Sequence, residues 1–428
     1  MSYLGMVATR CVAPISRNTT NKQLMSRSPH YARTAISSLQ ILIPNWYIDP
    51  AGAHAEIGSG ADATVRASIE YPANTFTQIL FGGSVSGTVP NVSQLLSDAV
   101  SVSIPNGALF WVRIWWDGGT GGILSIPHDL TGTGLPGAGL EVGVSGITDK
   151  TMSGTVTAAD NEFSPVAIIG QTDAPSFVVV GDSICLGDSS KETIGDASGD
   201  FGIVARAIGP LYAYASLCQN GDQGEDFVAS HTNREAIFAY ASHLICEYGS
   251  NDFYTVGASQ ATVKATLQTI WGYMTARGGK VYQTTITPRT TSTDSWATTG
   301  NQTLVSGTVD ARRTGLNDEL RGGLTGLEGY FDVADAIETS RNSGIWKVTG
   351  SANGYTADGI HPNTPGSVLV RDSGVIALPV VMSSKAGAVT QAEPSVGAGV
   401  LTSKAGRVGT AQVGVGDGDL TSTAGPVQ

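Results

Sequence analysis

The chain has 428 residues, which is longer than a domain with a single hydrophobic core usually is, so we expect two or more domains. Acidic residues outnumber basic ones by 36 to 24, for a formal charge of −12. A surface of this sign repels phosphate backbones and anionic lipids, which argues against nucleic acid and membranes as partners. No apolar stretch is long enough to span a bilayer, and Arg10 interrupts the first residues, so we expect neither a transmembrane segment nor a secretory signal.

Four cysteines, Cys11, Cys185, Cys218 and Cys246, show no Cys-x-x-Cys spacing. The pattern therefore indicates neither a zinc site nor a dithiol redox motif. Three of these residues lie near the ends of predicted strands, where a small buried thiol is the simplest interpretation.

In chain order, residues 1–38 mix Arg, Ser, Thr and Asn with little periodicity and are predicted to form an N-terminal arm. Short strand-like runs then follow one another, separated by turn signals. These runs are residues 39–44, 63–71, 76–81, 99–104 and 109–116. Such spacing is typical of a β-sandwich or jelly roll, which we predict over residues 39–170.

Four large aromatic residues lie close together in this predicted domain: Phe110, Trp111, Trp115 and Trp116. Aromatic faces at this density can form a surface on which sugars stack. More often, large aromatic side chains are buried in a core or between domains.

From residue 176 the pattern changes. Residues 177–180 form a continuous apolar run, as in a strand buried on both faces of a parallel sheet. Helical and strand-like segments then alternate, which predicts a doubly wound α/β domain over residues 171–382. The expected helices are 233–242, 258–277 and 302–322, and the expected strands are 244–248, 280–286 and 330–333.

The final segment, residues 383–428, is a repeat. Ser384, Ser403 and Ser422 each open a similar four-residue unit, so the period is 19 residues. A unit this short and this poor in large apolar residues cannot bury its own core. It must stack on neighbouring units, pair with other chains or remain a flexible tail.

Two motifs of the α/β segment supply a nucleophile and a base. Gly181-Asp182-Ser183 directly follows the predicted buried strand, and ligands bind beyond the carboxyl ends of strands in doubly wound sheets. In Asp358-Gly359-Ile360-His361, a carboxylate precedes an imidazole by three residues, close enough for Asp358 to orient His361 as a proton acceptor. Taken singly, such a serine often only caps a helix, and Asp-x-x-His is often a surface turn.

Two further motifs offer hydrogen-bond donors to a developing oxyanion. Gly224 can present an unobstructed backbone N–H, and the side-chain amide of Asn251, in Gly249-Ser250-Asn251-Asp252, donates without needing a charge. By themselves, both segments also fit ordinary glycine- and asparagine-rich turns.

Together and in this order, the four motifs resemble the sequence blocks of the SGNH (GDSL-type) hydrolases: Gly-Asp-Ser, a glycine, Gly-x-Asn-Asp and Asp-x-x-His. The resemblance covers about residues 173–380 and implies a flavodoxin-like fold without a metal or an organic cofactor. It implies Ser183 as the nucleophile and His361 as the base, oriented by Asp358. The implied oxyanion hole consists of the Ser183 N–H, the Gly224 N–H and the side chain of Asn251.

Some positions depart from the family pattern. Ile184 replaces a leucine, and Gln219 stands where the second block usually has an asparagine, so Gly221 is an alternative to Gly224. The remaining histidines match no block, and we interpret them as structural or surface residues. They are His30, His54, His128, His231 and His243.

The resemblance implies ester hydrolysis. The expected substrate is an O-acetyl or other short acyl group on a polysaccharide, or a small ester, because family members with an added β-domain often act on carbohydrates. A carbohydrate-binding protein with an inactive hydrolase domain and a purely structural virion protein are the rival interpretations.

The order of arm, β-domain, hydrolase and repeat, without a secretory signal, also suggests a phage virion or tail-fibre component. A bacterial carbohydrate esterase is the alternative, and a cytoplasmic location is expected outside a virion. We expect a homo-oligomer or a larger assembly, with repeats paired between chains and the basic arm docked on an acidic neighbour. The basic residues of that arm are Arg10, Arg17, Lys22, Arg27 and Arg33.

Overall fold

The computed structural model describes residues 2–127, 135–159, 161–188 and 200–378. These residues belong to one packed unit, Met1–Leu378. The 19-residue repeat lies outside the described residues. Among the helices of the described part, none combines the length and the apolar character needed to cross a bilayer.

The part of the chain before residue 173 is built from strands. In chain order they are β1 (Tyr3–Met6), β2 (Cys11–Val12), β3 (Ser16–Asn18), β4 (Gln23–Tyr31), β5 (Ile36–Pro44), β6 (Trp46–Ile48), β7 (Glu56–Gly58), β8 (Ala63–Glu70), β9 (Phe76–Gln78), β10 (Gly87–Val89), β11 (Gln94–Leu96), β12 (Val100–Ile104), β13 (Leu109–Asp117), β14 (Ile123–Pro127), β15 (Gly139–Gly143), β16 (Asn161–Glu162) and β17 (Ala167–Thr172).

Most of these strands belong to two antiparallel sheets. One sheet has the order β1-β17-β5-β11, with β12 also paired to β5, and the other has the order β10-β8-β13-β4-β15, with β9 paired to β8. Side chains of both, such as Ile43 and Val112, lie in the same buried apolar cluster. The expected β-rich region is therefore present, whereas its jelly-roll connectivity and its boundary at residue 170 stay predictions.

The aromatic residues of β13 alternate between two faces, as a strand requires. Phe110 and Trp116 are fully buried. On the other face, the Arg27 guanidinium carbon lies 3.9 Å from the Trp111 ring centroid, and the Trp115 indole N–H donates to a backbone carbonyl. These residues serve packing, so they give no support to a sugar-stacking surface.

Residues 1–38 do not form an arm. β4 pairs with β13 over nine residues, and β2 adds an edge strand to the parallel sheet of the second half. The prediction was wrong because polar side chains of β4 face inward. Ser26, Ser28 and His30 are fully buried, and Ser28 Oγ lies 2.9 Å from His30 Nε2. Buried polar residues of this kind conceal the alternation that predicts a strand.

Basic residues of this segment bind the chain itself. Arg10 forms a buried ion pair with Glu162 at 2.9 Å, and Arg27 pairs with Glu70 at 2.7 Å. Because these charges are already matched internally, they do not support docking of an arm onto another molecule.

The second half contains the expected α/β sheet. The strands of this half are β18 (Ser176–Val180), β19 (Ala213–Ser216), β20 (His243–Cys246), β21 (Lys280–Thr284), β22 (Thr290–Ser292), β23 (Gln302–Leu304) and β24 (Gly329–Phe331). Of these, β22 and β23 form a separate two-stranded sheet. The helices of this half are α1 (Ser183–Leu186), α2 (Gly202–Ile208), α3 (Gly224–Ala229), α4 (Thr232–Ile237), α5 (Gln260–Thr275), α6 (Gly307–Arg321), α7 (Val333–Ile337) and α8 (Thr364–Ser373).

The parallel sheet has the order β2-β19-β18-β20-β21-β24. Without the added β2, this is the 2-1-3-4-5 order of flavodoxin-like folds. Since neighbouring strands run parallel, their carboxyl ends lie at one edge. The segments that follow β18, β19 and β20 are those that carry the first three sequence motifs.

Two predicted helices differ in extent. The helix expected over 233–242 is α4, which ends at Ile237. Residues 302–322 were expected to be helical throughout, yet Gln302–Leu304 is strand β23, paired with β22. Helix α6 begins only after Ser306, whose hydroxyl accepts a hydrogen bond of 3.3 Å from the Val309 N–H. A serine that caps a helix in this way marks the helix start.

Candidate active site

The serine, histidine and aspartate singled out by the sequence meet at the carboxyl edge of the parallel sheet. Ser183 opens α1 directly after β18, and Asp182 caps that helix by accepting a 2.9 Å hydrogen bond from the Ile184 N–H. His361 Nε2 lies 2.7 Å from Ser183 Oγ, and His361 Nδ1 lies 2.6 Å from Asp358 Oδ2. When Nδ1–H donates to Asp358, Nε2 retains a lone pair that accepts the serine hydroxyl.

The pKa shifts of Asp358 and His361 favour His361 as a base. Burial alone would raise the pKa of Asp358, but hydrogen bonds from the His361 ring and from two backbone N–H groups lower this pKa to about 2. Burial would lower the pKa of His361, yet its hydrogen bond to Asp358 and the charge of that carboxylate raise the pKa above its ordinary value. Asp358 thus stays ionised and stabilises the imidazolium.

The loop between these two residues is braced by β22. Gly359 has a left-handed backbone (φ +73°), and a side chain there would collide with the Thr290 carbonyl oxygen. The Thr290 N–H donates to the Gly359 carbonyl at 3.0 Å, and the Trp346 indole N–H donates to the same oxygen at 3.2 Å. Glycine is therefore required between Asp358 and His361.

The structure contradicts the choice of Gly224 as an oxyanion donor. Gly224 is buried, and its N–H donates to both carboxylate oxygens of Asp252, at 3.1 and 3.2 Å. Gly221 is exposed, has a φ of +78°, and its N–H has no hydrogen-bond partner among the described residues. Because the Gly224 N–H already donates to the carboxylate of Asp252, the N–H that is available to a substrate oxygen is that of Gly221.

Asn251 is the candidate for a second oxyanion donor beside Gly221. Its side-chain nitrogen donates to the backbone oxygen of Asp222 at 3.1 Å and to Asp182 Oδ2 at 3.3 Å. Asp222 directly follows Gly221 in the chain. The amide of Asn251 therefore lies between the turn that carries the nucleophile and the loop that carries Gly221.

Arg289, which follows β21, was missed by the sequence reasoning. Its Nη2 donates to the side-chain oxygen of Asn251 at 2.7 Å, and its Nε donates to Ser250 Oγ at 3.2 Å. The guanidinium carbon lies 5.0 Å from the ring centroid of Tyr254. A signal was available, because Arg289 comes after the carboxyl end of a predicted strand, as Ser183 does.

A pair of buried acids supports the turn before the nucleophile. The Asp182 N–H donates to Glu247 Oε2 at 3.2 Å. Burial raises the pKa of Asp182, and burial together with the charge of Asp182 raises the pKa of Glu247 well above its usual range. A side chain at Gly181 would meet Glu247 and Cys185 at 2.7–2.8 Å, so only glycine fits between them.

Two of the four cysteines are not thiols. Cys185 of α1 and Cys218, just after β19, form a disulfide with their Cα atoms 5.9 Å apart. Cys11 and Cys246 are free and buried. The interpretation as small buried thiols is therefore wrong for Cys185 and Cys218. The pairing could not be predicted, because the partners are 33 residues apart in sequence and become neighbours only when β18 and β19 pair. The disulfide joins the helix of Ser183 to the segment that leads to Gly221.

One group of potential metal ligands occurs in the described part of the chain: His54, Asp222 and Asp226, with ligand atoms within 4.8 Å of one another. Asp222 Oδ2 already accepts hydrogen bonds from Arg234 at 2.8 Å and Tyr248 at 2.6 Å. Because a buried guanidinium neutralises this carboxylate, the group does not argue for a cation.

No protein-family model and no curated protein matches the sequence. Solved structures do match. They include a family two carbohydrate esterase from Clostridium thermocellum (12% identity, 85% of this chain and 91% of that chain, TM-score 0.33). A lipase/acylhydrolase from Enterococcus faecalis is 18% identical over 47% of this chain and 96% of its own, with a TM-score of 0.33. A GDSL-like lipase from Bacteroides thetaiotaomicron is 12% identical over 47% and 87%, with a TM-score of 0.31. Scores of this size carry no inference about function.

Proposed function

We propose that this chain is a serine ester hydrolase of the SGNH type that needs no metal or organic cofactor, with Ser183 as the nucleophile. The observation that carries the proposal is the continuous hydrogen-bonded chain from Ser183 Oγ through the His361 ring to Asp358 Oδ2, with bonds of 2.7 and 2.6 Å. The four motifs in family order support it, and so does the position of Ser183 at the carboxyl edge of the sheet.

The proposed reaction is acyl transfer to water. Ser183 Oγ attacks the ester carbonyl carbon while its proton passes to His361 Nε2. The tetrahedral oxyanion accepts hydrogen bonds from the N–H groups of Ser183 and Gly221 and from the Asn251 amide, whose bond to Asp182 is long, at 3.3 Å. The alcohol leaves with the proton from His361. His361 then takes a proton from a water molecule whose oxygen attacks the acyl carbon. It returns this proton to Ser183 Oγ as the carboxylic acid leaves.

For the substrate we propose a short acyl group, acetyl first, on a hydroxyl of a polysaccharide. The family resemblance supports this, and so does the β-rich region that shares a buried cluster with the α/β part. The rival interpretation is a binding or structural protein with an inactive site. A hydrogen-bonded Ser–His–Asp arrangement favours the enzyme, because a merely structural protein has no physical need for it.

The test is hydrolysis of p-nitrophenyl acetate by the wild-type chain and by Ser183→Ala. We expect kcat to fall by about 10³-fold or more, because the nucleophile is removed. Ser216→Ala is a matched control, since Ser216 is the last residue of β19 at the same edge of the sheet and both serines are 7% exposed. Equal turnover by Ser183→Ala and the wild type, with the same circular dichroism, would reject the proposal.

The biological setting of this hydrolase is a separate proposal. We infer a phage virion or tail-fibre component in a homo-oligomer or larger assembly, rather than a free bacterial esterase. The support is the succession of a β-rich region, a hydrolase and a 19-residue repeat in one sequence. The basic residues near the start of the chain give no support to such an assembly, because they are paired within the chain.

A further inference from the structure

The β6–β7 hairpin of the β-rich region lies beside the loop that carries Gly221. The Gln219 side-chain amide donates to the backbone oxygens of Ile48 in β6 and of Ile15, the latter at 3.3 Å. Gln219 is the residue that departs from the family pattern, and its longer side chain is what reaches this hairpin. The loop of Gly221 is thereby tied to a part of the chain outside the parallel sheet.

The other strand of the hairpin is held just as firmly. The carboxylate of Glu56 accepts hydrogen bonds from the Asn233 and Arg234 N–H groups of α4, both at 2.8 Å. The Glu56 N–H donates to Ser230 Oγ at 2.9 Å. A carboxylate at the start of a helix is a stable arrangement, so the hairpin has a defined position relative to the site.

His54 lies between the two strands of this hairpin. Its backbone has a φ of +44°, a conformation that costs energy for a residue with a side chain and tends to occur at functional positions. The side chain is 8% exposed, and its Nδ1 lies 2.8 Å from Asp226 Oδ2. Asp226 therefore fixes the ring and favours the tautomer with a proton on Nδ1.

The second ring nitrogen points at the loop of Gly221. A methyl group added to Gly221 would lie 3.0 Å from His54 Nε2. Nε2 makes no hydrogen bond with the described residues, and it is not one of the fully enclosed unpaired atoms among them. A polar atom that is fixed, unpaired and open beside the proposed oxyanion donor is placed to meet a substrate.

We propose that His54 is a substrate-binding residue that accepts a hydrogen bond from a hydroxyl group of a saccharide ester. With the proton on Nδ1 held by Asp226, Nε2 is an acceptor, and a sugar offers free hydroxyls next to the acylated position. A simple alkyl or aryl ester offers none. The inference rests on the ester hydrolase function proposed above and assigns part of its specificity to the β-rich region.

The test uses the full chain and two substrates, a monoacetylated methyl glycoside and p-nitrophenyl acetate. The measured quantity is the ratio of kcat/KM for the glycoside to kcat/KM for the aryl ester. In His54→Asn, the side-chain amide can still reach Asp226 but nothing occupies the position of Nε2, so we expect the ratio to fall about 5-fold, as for one lost hydrogen bond. His54→Gln places a polar atom near that position and should recover most of the ratio.

His231→Asn is the matched control, because His231 also bonds through Nδ1, to the Val228 carbonyl at 2.9 Å, and should leave the ratio unchanged. The inference is overturned if His54→Asn keeps the wild-type ratio, if it slows both esters by one factor, or if the wild type does not cleave the glycoside. Failure of the hydrolase function itself looks different, because Ser183→Ala would then match the wild type on both substrates.

Discussion

The guanidinium of Arg289 donates a 2.7 Å hydrogen bond to the side-chain oxygen of Asn251, and this bond decides which end of the amide faces the nucleophile. With the oxygen held by Arg289, the nitrogen points to Asp222 and Asp182. An amide turned the other way would present an oxygen to the developing oxyanion and repel it. Arg289 is therefore a positioning residue.

Arg289→Gln should lower kcat for p-nitrophenyl acetate by about 10-fold with little change in KM, since a misdirected amide affects mainly the transition state. Arg289→Lys should recover part of the loss, because one ammonium cannot make both contacts of the guanidinium. Arg312→Gln is the control, because Arg312 is a half-buried arginine of α6 that donates to the backbone oxygens of Gly257 and Ala258. A rise in KM at constant kcat would show that Arg289 binds substrate instead.

The pH dependence of hydrolysis follows from the link between His361 and Asp358. His361 acts as a base only when neutral, and, despite its burial, the charge of Asp358 raises its pKa above the ordinary value of a histidine. The kcat/KM should therefore rise with pH, with its midpoint above that ordinary value. Asp358→Asn removes the negative charge that raises this pKa. The midpoint should then move to lower pH while the plateau rate falls.

Rate profiles between pH 5 and 9 measure this shift, with Asp372→Asn, an exposed carboxylate paired with Arg371, as the control. A midpoint that moves upward in Asp358→Asn, or does not move, would contradict the assigned pairing.

The oxyanion donors can be tested independently of the triad. Asn251→Ala should lower kcat by roughly 10²–10³-fold at nearly constant KM. A crystal structure with Ser183 phosphonylated should place the phosphonyl oxygen roughly 2.7–3.1 Å from the Gly221 nitrogen. The same oxygen bonded to Gly224, with Asp252 displaced, would restore the original assignment.

The disulfide should contribute to stability. Joining residues 33 apart restricts the unfolded chain, and loop-closure entropy adds about 4 kcal/mol to the free energy of unfolding. Urea unfolding of the oxidised wild type and of the double variant Cys185→Ala/Cys218→Ala measures this difference. Thiol titration of the denatured wild type should detect only Cys11 and Cys246, whereas four titratable thiols would exclude the bond.

Removal of residues 384–428 separates catalysis from assembly. The proposed catalytic residues all lie within Met1–Leu378, so the truncated chain should hydrolyse p-nitrophenyl acetate like the full chain. Sedimentation should show a larger assembly for the full chain than for the truncated one. If both sediment as monomers, the repeat does not mediate self-association, and the virion proposal loses its main support.

The sequence by itself determined the α/β part and the triad. The continuous apolar run at 177–180 predicted the buried strand β18 (Ser176–Val180), and Ser183 follows it directly. Asp358 and His361 are three residues apart, so one short loop brings them together. Such features depend on local backbone geometry and on the rule that carboxyl ends of parallel strands share an edge, and both can be predicted from residue patterns.

Only the tertiary structure decided which groups complete the site. The sequence does not distinguish Gly221 from Gly224 as an oxyanion donor. In the structure, the Gly224 N–H donates to Asp252, which follows β20, whereas the Gly221 N–H does not. The contacts of Arg289 with Asn251 and of His54 with the loop of Gly221 likewise join elements distant in sequence. Contacts of this kind arise from packing between elements, which leaves no periodic pattern in the chain.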